Sequence, residues 1–241
     1  MAATDKTGQG MIDGVIFDKD GTLFDFHQSW GGWAGRLLTD LARDGSHARA
    51  LGQAIGYDLA TETFSADSPV IAGTAAEIAA ALQQALPAMT RTALLAKIND
   101  LAASAPMAEA VPLVPFLTAM RARGLKLGLA TNDTEMPARA HLDAHGIAPF
   151  FDFIAGYDSG YGPKPGPGMC LAFAARLQLD PARVVMVGDS LHDLDAGRAA
   201  GMRTVAVLTG VAGRAELQHH ADVVLADIGG LADWLDRIGA D

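Results

Sequence analysis

The chain has 241 residues, of which 28 are acidic and 18 are basic, so its formal net charge at pH 7 is −10. This acidic balance argues against a protein that neutralises the phosphates of a nucleic acid. Half of the residues are hydrophobic and 19% are charged, which excludes a disordered polyelectrolyte and predicts a buried core in one or two domains.

The first ten residues, MAATDKTGQG, lack the apolar stretch of a secretory signal, and no later run approaches the length of a membrane span. The sequence therefore predicts a cytoplasmic protein with no membrane partner. The single cysteine, Cys170, cannot form an internal disulfide and lies in an apolar helical stretch. This position favours a small core residue.

Short apolar runs predict buried strands along the chain. The first run, Met11–Phe17, ends in an acidic turn, which indicates a strand whose carboxyl end opens into a loop. The later runs are Leu125–Ala130, Phe151–Ala155, Val184–Val187, Thr204–Leu208 and Val223–Leu225. The helical stretches between and after them are Pro112–Arg123, Glu135–His145, Pro167–Leu177, Leu191–Ala200 and Ile228–Ile238. This alternation predicts an α/β fold, a Rossmann-like parallel sheet flanked by helices.

The stretch from residue 25 to residue 107 interrupts the alternation, because it offers Ala-rich helical patterns and no clear strand. Thr74–Leu86 begins with a capping-box pair, Thr74 and Glu77, and Thr90–Ala102 forms a second helical pattern. We expect a small helical cap domain at 25–107, inserted after the first strand. The core domain would then consist of 1–24 and 108–241.

The segment Asp18-Lys19-Asp20-Gly21-Thr22 follows the first predicted strand. On an extended chain the side chains of Asp18 and Asp20 point to the same side, so both carboxylates can reach one small volume at the carboxyl edge of the sheet. Lys19 is expected to point away from that side, with little effect on the chemistry. An ordinary acidic turn built on Asp-Gly is the structural alternative.

A second acidic group follows the strand predicted at Val184–Val187. Asp189 is expected to lie at the same sheet edge as Asp18, and Asp193 stands one helical turn beyond it. Carboxylates held close together need a cation, and ligands that are all oxygen atoms favour Mg²⁺. Asp189 or Ser190 can also cap the following helix, and the two roles are compatible.

Two further segments are candidates for holding an anion. Thr131 and Asn132 follow the strand predicted at Leu125–Ala130, where a hydroxyl and backbone N–H groups suit anion binding. A plain helix cap is the simpler interpretation of this pair. Lys164 stands between two prolines in the Gly/Pro-rich loop 156–168. Rigid flanks suggest a positioned cation, although loop lysines are more often solvated.

Taken in order, these motifs resemble the haloacid dehalogenase superfamily, and within it the phosphatases similar to phosphoglycolate phosphatase. The resemblance covers the chain from Met11 to about Ile238 and includes a helical insertion where this family carries its cap. The residues that carry it are Asp18, Asp20, Gly21, Thr22, Thr131, Lys164, Gly188, Asp189 and Asp193.

The resemblance implies an Mg²⁺-dependent phosphatase that hydrolyses phosphoglycolate or a similar small phosphorylated metabolite through an aspartyl-phosphate. It implies that Asp18 is the nucleophile, and that Asp20 is the general acid and base with its backbone carbonyl in the metal shell. The implied phosphate-binding residues are Thr131, Asn132 and Lys164. The implied metal-binding residues are Asp18, Asp20 and Asp189, with Asp193 supporting them through hydrogen bonds to water or to Lys164.

Three other functions stay open at this point. A phosphomutase similar to β-phosphoglucomutase would use the same groups but pass the phosphate to a sugar hydroxyl. A dehalogenase would need neither the metal nor Asp20, and a fold relative without activity would only bind phosphate. The expected partner is a small metabolite, with no nucleic acid, and the chain is expected to be a monomer or a homodimer.

Substrate choice is expected to come from the insertion, because the sheet edge handles only the phosphoryl group. A carboxylate-bearing substrate would need one of its basic side chains: His27, Arg36, Arg43, His47, Arg49, Arg91 or Lys97. A sugar phosphate would need polar groups such as Gln28, Ser29 or Thr39. Trp30 and Trp33 open the insertion, and we favour packing at the hinge over lining of the substrate entrance for both.

Overall fold

A computed structural model describes residues 12–240. Met11, the predicted start of the first strand, and the N-terminal segment used to predict the location lie outside this range. The first strand is β1 (Gly14–Phe17). The inserted segment follows with α1 (Phe26–Leu41), α2 (Gly45–Ala54), β2 (Tyr57–Asp58), β3 (Thr63–Phe64), α3 (Pro69–Ala72), α4 (Ala75–Gln83) and α5 (Arg91–Ala103).

After the insertion, strands and helices alternate. The elements are α6 (Leu113–Ala122), β4 (Lys126–Ala130), α7 (Glu135–Ala144), β5 (Phe153–Ala155), α8 (Gly168–Leu177), β6 (Val184–Gly188), α9 (Leu191–Ala199), β7 (Arg203–Val207), α10 (Arg214–Leu217), β8 (Val223–Leu225) and α11 (Leu231–Ile238). Short 3-10 turns lie at Ala148–Phe150, Pro181–Arg183 and Ile228–Gly230. Among the helices of residues 12–240, none has the length and apolar character that a membrane span requires.

Six of the strands form one sheet in the order β5-β4-β1-β6-β7-β8. Every pairing in this sheet is parallel. The predicted Rossmann-like parallel sheet is therefore confirmed, and each predicted strand appears within a few residues of its expected place. Strand β1 lies inside the sheet, so the chain that leaves its carboxyl end emerges between β4 and β6.

Strand β1 is buried on both faces, which explains its continuous apolar run. Val15 and Phe17 belong to one hydrophobic cluster and Ile16 to the cluster on the other side of the sheet. Gly128 in β4 leaves room for the ring of Phe173 on α8, because a Cβ at this glycine would lie 2.6 Å from that ring. Close approach of helix and sheet therefore depends on a missing side chain in the strand.

The inserted segment is mainly helical, as expected. The predicted capping box is present at the start of α4, where Glu77 Oε2 accepts from Thr74 N at 2.7 Å and Glu77 N donates to Thr74 Oγ1 at 3.3 Å. The expectation of no strand here is wrong, because β2 and β3 form a short antiparallel pair. Two-residue strands are too short to produce an alternating pattern in the sequence.

The chain enters and leaves the inserted segment at one place. Asp25 N donates to Ala108 O at 2.8 Å, and Ala110 N donates to Leu23 O at 2.9 Å. These bonds tie residues 23–25 to residues 108–110, a pair of passages that we call the crossing ribbon. The ribbon fixes both ends of the insertion beside the carboxyl end of β1.

Candidate active site

Three buried carboxylates lie together at the carboxyl edge of the sheet. Asp18 follows β1, Asp189 follows β6, and Asp193 lies in the first turn of α9. One oxygen of each residue lies within 4.8 Å of the other two. The structure thus brings Asp18 and Asp189 to one edge, because adjacent parallel strands end side by side, and Asp193 joins them from the helix.

Asp18, Asp189 and Asp193 form what we call the acid cluster, whose like charges repel one another. Burial raises the pKa of Asp18 to about 7; the Lys164 charge opposes this shift, and the charges of Asp193 and Asp20 add to it. Burial also raises the pKa of Asp189 well above its usual value, and the charges of Asp193 and Asp18 reinforce the shift. Keeping these groups ionised therefore requires positive charge close to them.

Lys164 supplies part of that charge. Its Nζ donates to Asp18 Oδ1 and Asp193 Oδ1, both at 2.6 Å, and to Ala130 O at 2.8 Å. All three ammonium protons are used, and the residue is only 4% exposed. Burial lowers the pKa of Lys164, but the Asp18 and Asp193 carboxylates raise it by more, so the net shift is upward. The alternative of a solvated loop lysine is wrong.

The side-chain amide of Asn132 holds the loop that carries Lys164. Asn132 Oδ1 accepts from Lys164 N at 2.9 Å, and Nδ2 donates to Lys164 O at 3.0 Å and to Ala72 O at 2.9 Å. Ala72 belongs to the inserted segment, so one amide connects core, loop and insertion. Thr131 Oγ1 accepts from Asp133 N at 3.1 Å, and its hydroxyl proton can still be donated to an anion in the cavity.

Asp20 lies beside the acid cluster rather than in it. Its Oδ1 accepts from Lys19 Nζ at 2.7 Å and from the indole Nε1 of Trp30 at 2.8 Å. The expectation that Lys19 points away from Asp20 is therefore wrong. The chain does not stay extended after β1: Leu23 N and Phe24 N both donate back to Lys19 O, and the strand alternation of side chains ends there.

Lys19 is the centre of a buried polar chain. The residue is fully buried, and its Nζ lies 3.0 Å from Asp133 Oδ2 and 3.2 Å from His141 Nδ1. His141 Nε2 lies 2.7 Å from Ala102 O, so Nε2 carries the proton and Nδ1 accepts from Lys19. Burial and the Lys19 charge lower the pKa of His141 to about 4. The imidazole is therefore neutral at physiological pH.

A cavity lies between the sheet edge and the inserted segment. Its core side contains Asp18, Asp20, Thr131, Asn132, Asp133, Lys164, Asp189, Ser190, His192 and Asp193. Its other side includes Trp30 and Trp33, so both tryptophans line the entrance in addition to packing against each other at 5.0 Å between ring centroids. The favoured interpretation of these two residues as packing alone is incomplete.

The acid cluster has the composition of a magnesium site. Its donors are carboxylate oxygens, which hard divalent ions prefer. The backbones of Gly21 and Gly210 close around the Asp189 carboxylate, where a Cβ at either glycine would overlap it. Within residues 12–240 no lysine, arginine or histidine forms an ion pair with Asp189. Its carboxylate is therefore available to bind a metal ion. The residues present therefore fit Mg²⁺.

Several residues near the site were not assigned to it from the sequence. Lys19 and His141 form the buried polar chain, while others line the cavity, among them Trp30, Trp33, Asp133, Ser190 and His192. Trp30 and Trp33 stand three residues apart on one face of α1, which was the available signal for the entrance. For His141 no local signal exists, because its partners lie 39 and 122 residues away.

Two aspartates follow β1 of the parallel sheet, and a buried lysine lies between acidic groups at the same edge. This combination defines a class of hydrolases whose reaction takes place at the carboxyl edge of a parallel sheet. The sequence model of the haloacid dehalogenase-like hydrolase family matches residues 12–201. The chain belongs to this family.

Relatives of the chain are named as phosphatases. The "Probable phosphatase IndB" of Dickeya dadantii is 31% identical over 213 residues, which cover 88% of each chain. A phosphoglycolate phosphatase of Rhodospirillum rubrum is 32% identical and covers 95% of this chain and 96% of its own. Family and relatives together identify the chain as an enzyme of the phosphatase type.

The fold is shared with solved structures. A structure named as a predicted phosphoglycolate phosphatase from Haemophilus somnus superposes with a TM-score of 0.72 at 18% identity. The match covers 94% of this chain and 99% of that one. The likeness therefore extends over the inserted segment as well as the sheet.

Proposed function

We propose that this enzyme hydrolyses a small phosphomonoester through a phosphorylated Asp18 and that its metal is Mg²⁺. The observation that carries the proposal is the buried Asp18 carboxylate, 2.6 Å from the Lys164 ammonium, in a cavity that also contains Asp20. A nucleophile, a cation for the phosphoryl oxygens and a proton carrier thus share one small volume.

In the first step, a carboxylate oxygen of Asp18 forms a bond to phosphorus while the bond from phosphorus to the alcohol oxygen breaks. Asp20 in its acid form gives its proton to that leaving oxygen. Lys164 and Thr131 hold the phosphoryl oxygens as charge develops on them. Asn132 acts through Lys164, because its amide binds the backbone on both sides of that residue.

In the second step, a water molecule attacks phosphorus and gives a proton to the Asp20 carboxylate. The bond between phosphorus and Asp18 breaks, and inorganic phosphate leaves. Asp20 is then protonated again, ready for the next substrate. Lys19 and Trp30 act as positioning residues here, since both donate to Asp20 Oδ1.

Asp18 and Asp189, with the backbone carbonyl of Asp20, would hold Mg²⁺, and Asp193 would support them through its bond to Lys164. When bound, the ion neutralises the clustered carboxylates and polarises the phosphoryl group. The support for this assignment is the buried, all-oxygen donor set and the glycine backbones around Asp189.

Residues 25–107 serve as a cap domain on the core formed by 1–24 and 108–241. The support for this division is that the insertion holds no strand of the main sheet in its described residues. It also contributes one side of the cavity and is tied to the core by the crossing ribbon. Opening at the ribbon would admit the substrate, and closing would exclude water from the reacting groups.

The test is the substitution Asp18→Asn. Phosphate release from p-nitrophenyl phosphate with Mg²⁺ is expected to fall to the level of a blank, because the amide cannot form the acyl phosphate. Asp143→Asn changes an exposed aspartate on α7 in the same way and is expected to leave the rate unchanged. Normal turnover by Asp18→Asn would refute the mechanism.

The same assay separates hydrolysis from phosphate transfer between hydroxyls. With a hexose 1-phosphate as substrate, a hydrolase releases free phosphate, whereas a mutase forms the 6-phosphate isomer. We expect free phosphate as the product, even where the sugar phosphate reacts slowly. Isomer formation without phosphate release would assign the site to a phosphomutase instead.

A further inference from the structure

The inserted segment presents an apolar wall to the cavity. Its larger lining side chains are Trp30, Trp33, Val70, Ile71, Ile78 and Ile98, and its smaller lining residues are glycine and alanine. In the proposed mechanism this wall faces the part of the substrate that leaves with the alcohol oxygen. An apolar wall favours an apolar substituent at that position.

No basic side chain of the inserted segment lines the cavity, and all of residues 25–107 are described. His27, Arg36, Arg43, Arg49 and Arg91 are exposed elsewhere. Lys97 pairs with Asp40 at 2.9 Å, and His47 contacts Ala85 O at 3.0 Å. The cations that a substrate carboxylate would need are therefore directed away from it.

The core side of the cavity also offers few positively charged side chains. Lys164 is its one lysine among the described residues, and the proposed mechanism assigns its ammonium to the phosphoryl oxygens. His192 is the other basic lining residue, and it stands next to Asp193. A substrate carboxylate would enter a space already occupied by aspartates, with like charges facing it and its hydration lost.

Few groups are available for hydroxyls. Ser29 Oγ donates to Asp25 O at 2.6 Å and accepts from Ala108 N at 3.1 Å, while Thr39 Oγ1 donates to Gly35 O at 2.8 Å. Neither lines the cavity. Among the lining residues, Trp33 Nε1 and His192 Nδ1 are buried without a hydrogen-bond partner, and so is Asp133 Oδ2, which lies 3.0 Å from the Lys19 ammonium. So few free polar atoms suit one hydroxyl better than the several hydroxyls of a sugar.

We propose that the natural substrate, within the function proposed above, is a phosphate ester of a short, uncharged and mainly apolar alcohol carrying at most one further hydroxyl. The free space agrees with a short substituent, because the cavity between the core and the insertion has a volume of only about 50 Å³. Carboxylate-bearing esters and sugar phosphates are poor substrates of this site.

The test compares kcat/KM, with Mg²⁺, for n-propyl phosphate, the phosphate ester of glycolamide, and 2-phosphoglycolate. The last two have nearly the same shape and differ in charge. We expect the neutral ester to exceed 2-phosphoglycolate by about tenfold or more, and propyl phosphate to equal or exceed the neutral ester. An equal or higher value for 2-phosphoglycolate overturns the inference. If that value then falls in His192→Gln, His192 supplies the cation that binds the substrate carboxylate.

A variant tests the cause. Ile71 is half-buried and lines the cavity, so Ile71→Lys adds a cation to the apolar wall. The ratio of 2-phosphoglycolate to propyl phosphate turnover is expected to rise by about tenfold. Val114→Lys adds the same charge at an exposed position on α6 and is expected to leave the ratio unchanged. An unchanged ratio in folded Ile71→Lys overturns the inference.

The two proposals fail in different ways. If no ester, including p-nitrophenyl phosphate, releases phosphate, the proposed function is wrong and the inference falls with it. If phosphate is released and 2-phosphoglycolate is the best substrate, the proposed function stands and only the substrate class is wrong.

Discussion

Lys19 lies between two aspartates in sequence and between two carboxylates in space. Its ammonium contacts Asp20 at 2.7 Å and Asp133 at 3.0 Å, with no exposed surface. Burial lowers the pKa of Lys19, but both carboxylates raise it, and the net shift is upward. The lysine is therefore charged, and it fixes the carboxylate that we assign to proton transfer.

Replacing this lysine should affect folding and catalysis differently. Lys19→Met leaves the partly buried carboxylates of Asp20 and Asp133 without their cation, which is expected to lower the free energy of unfolding by about 3 kcal/mol. For an alkyl phosphate, kcat/KM reports the step in which the alcohol leaves, and it is expected to fall roughly ten- to a hundredfold because the alkoxide must be protonated as it leaves. For p-nitrophenyl phosphate the loss should be much smaller, since nitrophenolate leaves unaided.

Urea denaturation and the two kcat/KM values check this expectation. Lys126→Met is the matched control, because the Lys126 side chain is exposed and its ammonium lies 3.8 Å from Asp152. Equal losses of kcat/KM for the two esters would mean that Lys19 does not position Asp20 for protonation of the leaving group.

The sequence predicted the residues of the acid cluster and Lys164 because strand ends and prolines leave local signals. It failed for Lys19 because the prediction extended strand alternation one residue too far. Gly21 has a φ of +78°, and the chain turns from Lys19 onwards. Side-chain direction after a strand depends on that turn, and the turn is fixed by the bonds back to Lys19 O.

At the level of elements, α5 and α7 are joined through one neutral imidazole. His141 on α7 donates from Nε2 to Ala102 O on α5, and its Nδ1 faces Lys19. The charge of Asp20 raises the pKa of His141, and that of His145 lowers it. Protonation would set an imidazolium against the Lys19 ammonium. The contact between insertion and core therefore depends on pH.

The sign of this dependence follows from the pKa of His141, which is about 4 in the folded chain and 6.5 as the reference value. Between these pH values the unfolded chain binds more protons, so stability is fully present above pH 6.5 and decreases towards pH 4. The total loss from this residue is about 3 kcal/mol. His141→Gln provides an amide donor and an amide acceptor that do not titrate, and it is expected to remove that part of the slope.

Urea denaturation at a series of pH values between 4 and 7 measures the slope. The exposed His219 provides the control, because His219→Gln is expected to retain the wild-type dependence. A wild-type slope in His141→Gln would show that this imidazole is not the titrating group.

Element prediction succeeded where apolar runs were continuous and failed in the first part of the insertion. Helix α1 contains Gly31, Gly32 and Gly35, each of which lowers helix propensity by about 1 kcal/mol. Burial of Trp30, Trp33 and the adjacent leucines outweighs this cost. Such packing is tertiary, so the local pattern did not indicate the helix.

For the molecule as a whole, the acid cluster links metal binding to stability. Burial and the charges of Asp193 and Asp18 raise the pKa of Asp189 well above its usual value, so this carboxyl destabilises the folded chain at neutral pH when Mg²⁺ is absent. Asp189→Asn removes the carboxyl. We expect the variant to melt higher than the wild type in EDTA, and to gain almost nothing from added Mg²⁺.

The wild type should instead gain about 2.7 kcal/mol at a metal concentration a hundred times its dissociation constant. Thermal melts in EDTA and in Mg²⁺ measure both effects. Asp195→Asn, at an exposed position on α9, controls for the loss of one negative charge. Stabilisation of Asp189→Asn by Mg²⁺ to the wild-type extent would place the metal elsewhere.

The crossing ribbon has a consequence for how such enzymes diverge. Because residues 23–25 and 108–110 lie side by side, the insertion is topologically a loop whose ends meet. Doubling the length of a loop costs only about 0.6 kcal/mol in closure entropy. The insertion can therefore be resized while strand order and register stay fixed. Trp30, Ala72 and Ala102 must keep their bonds to the core, but mutation of the apolar wall can change which alcohol is admitted without altering Asp18, Lys164 or Asp189. Selectivity can thus evolve while the chemistry is conserved.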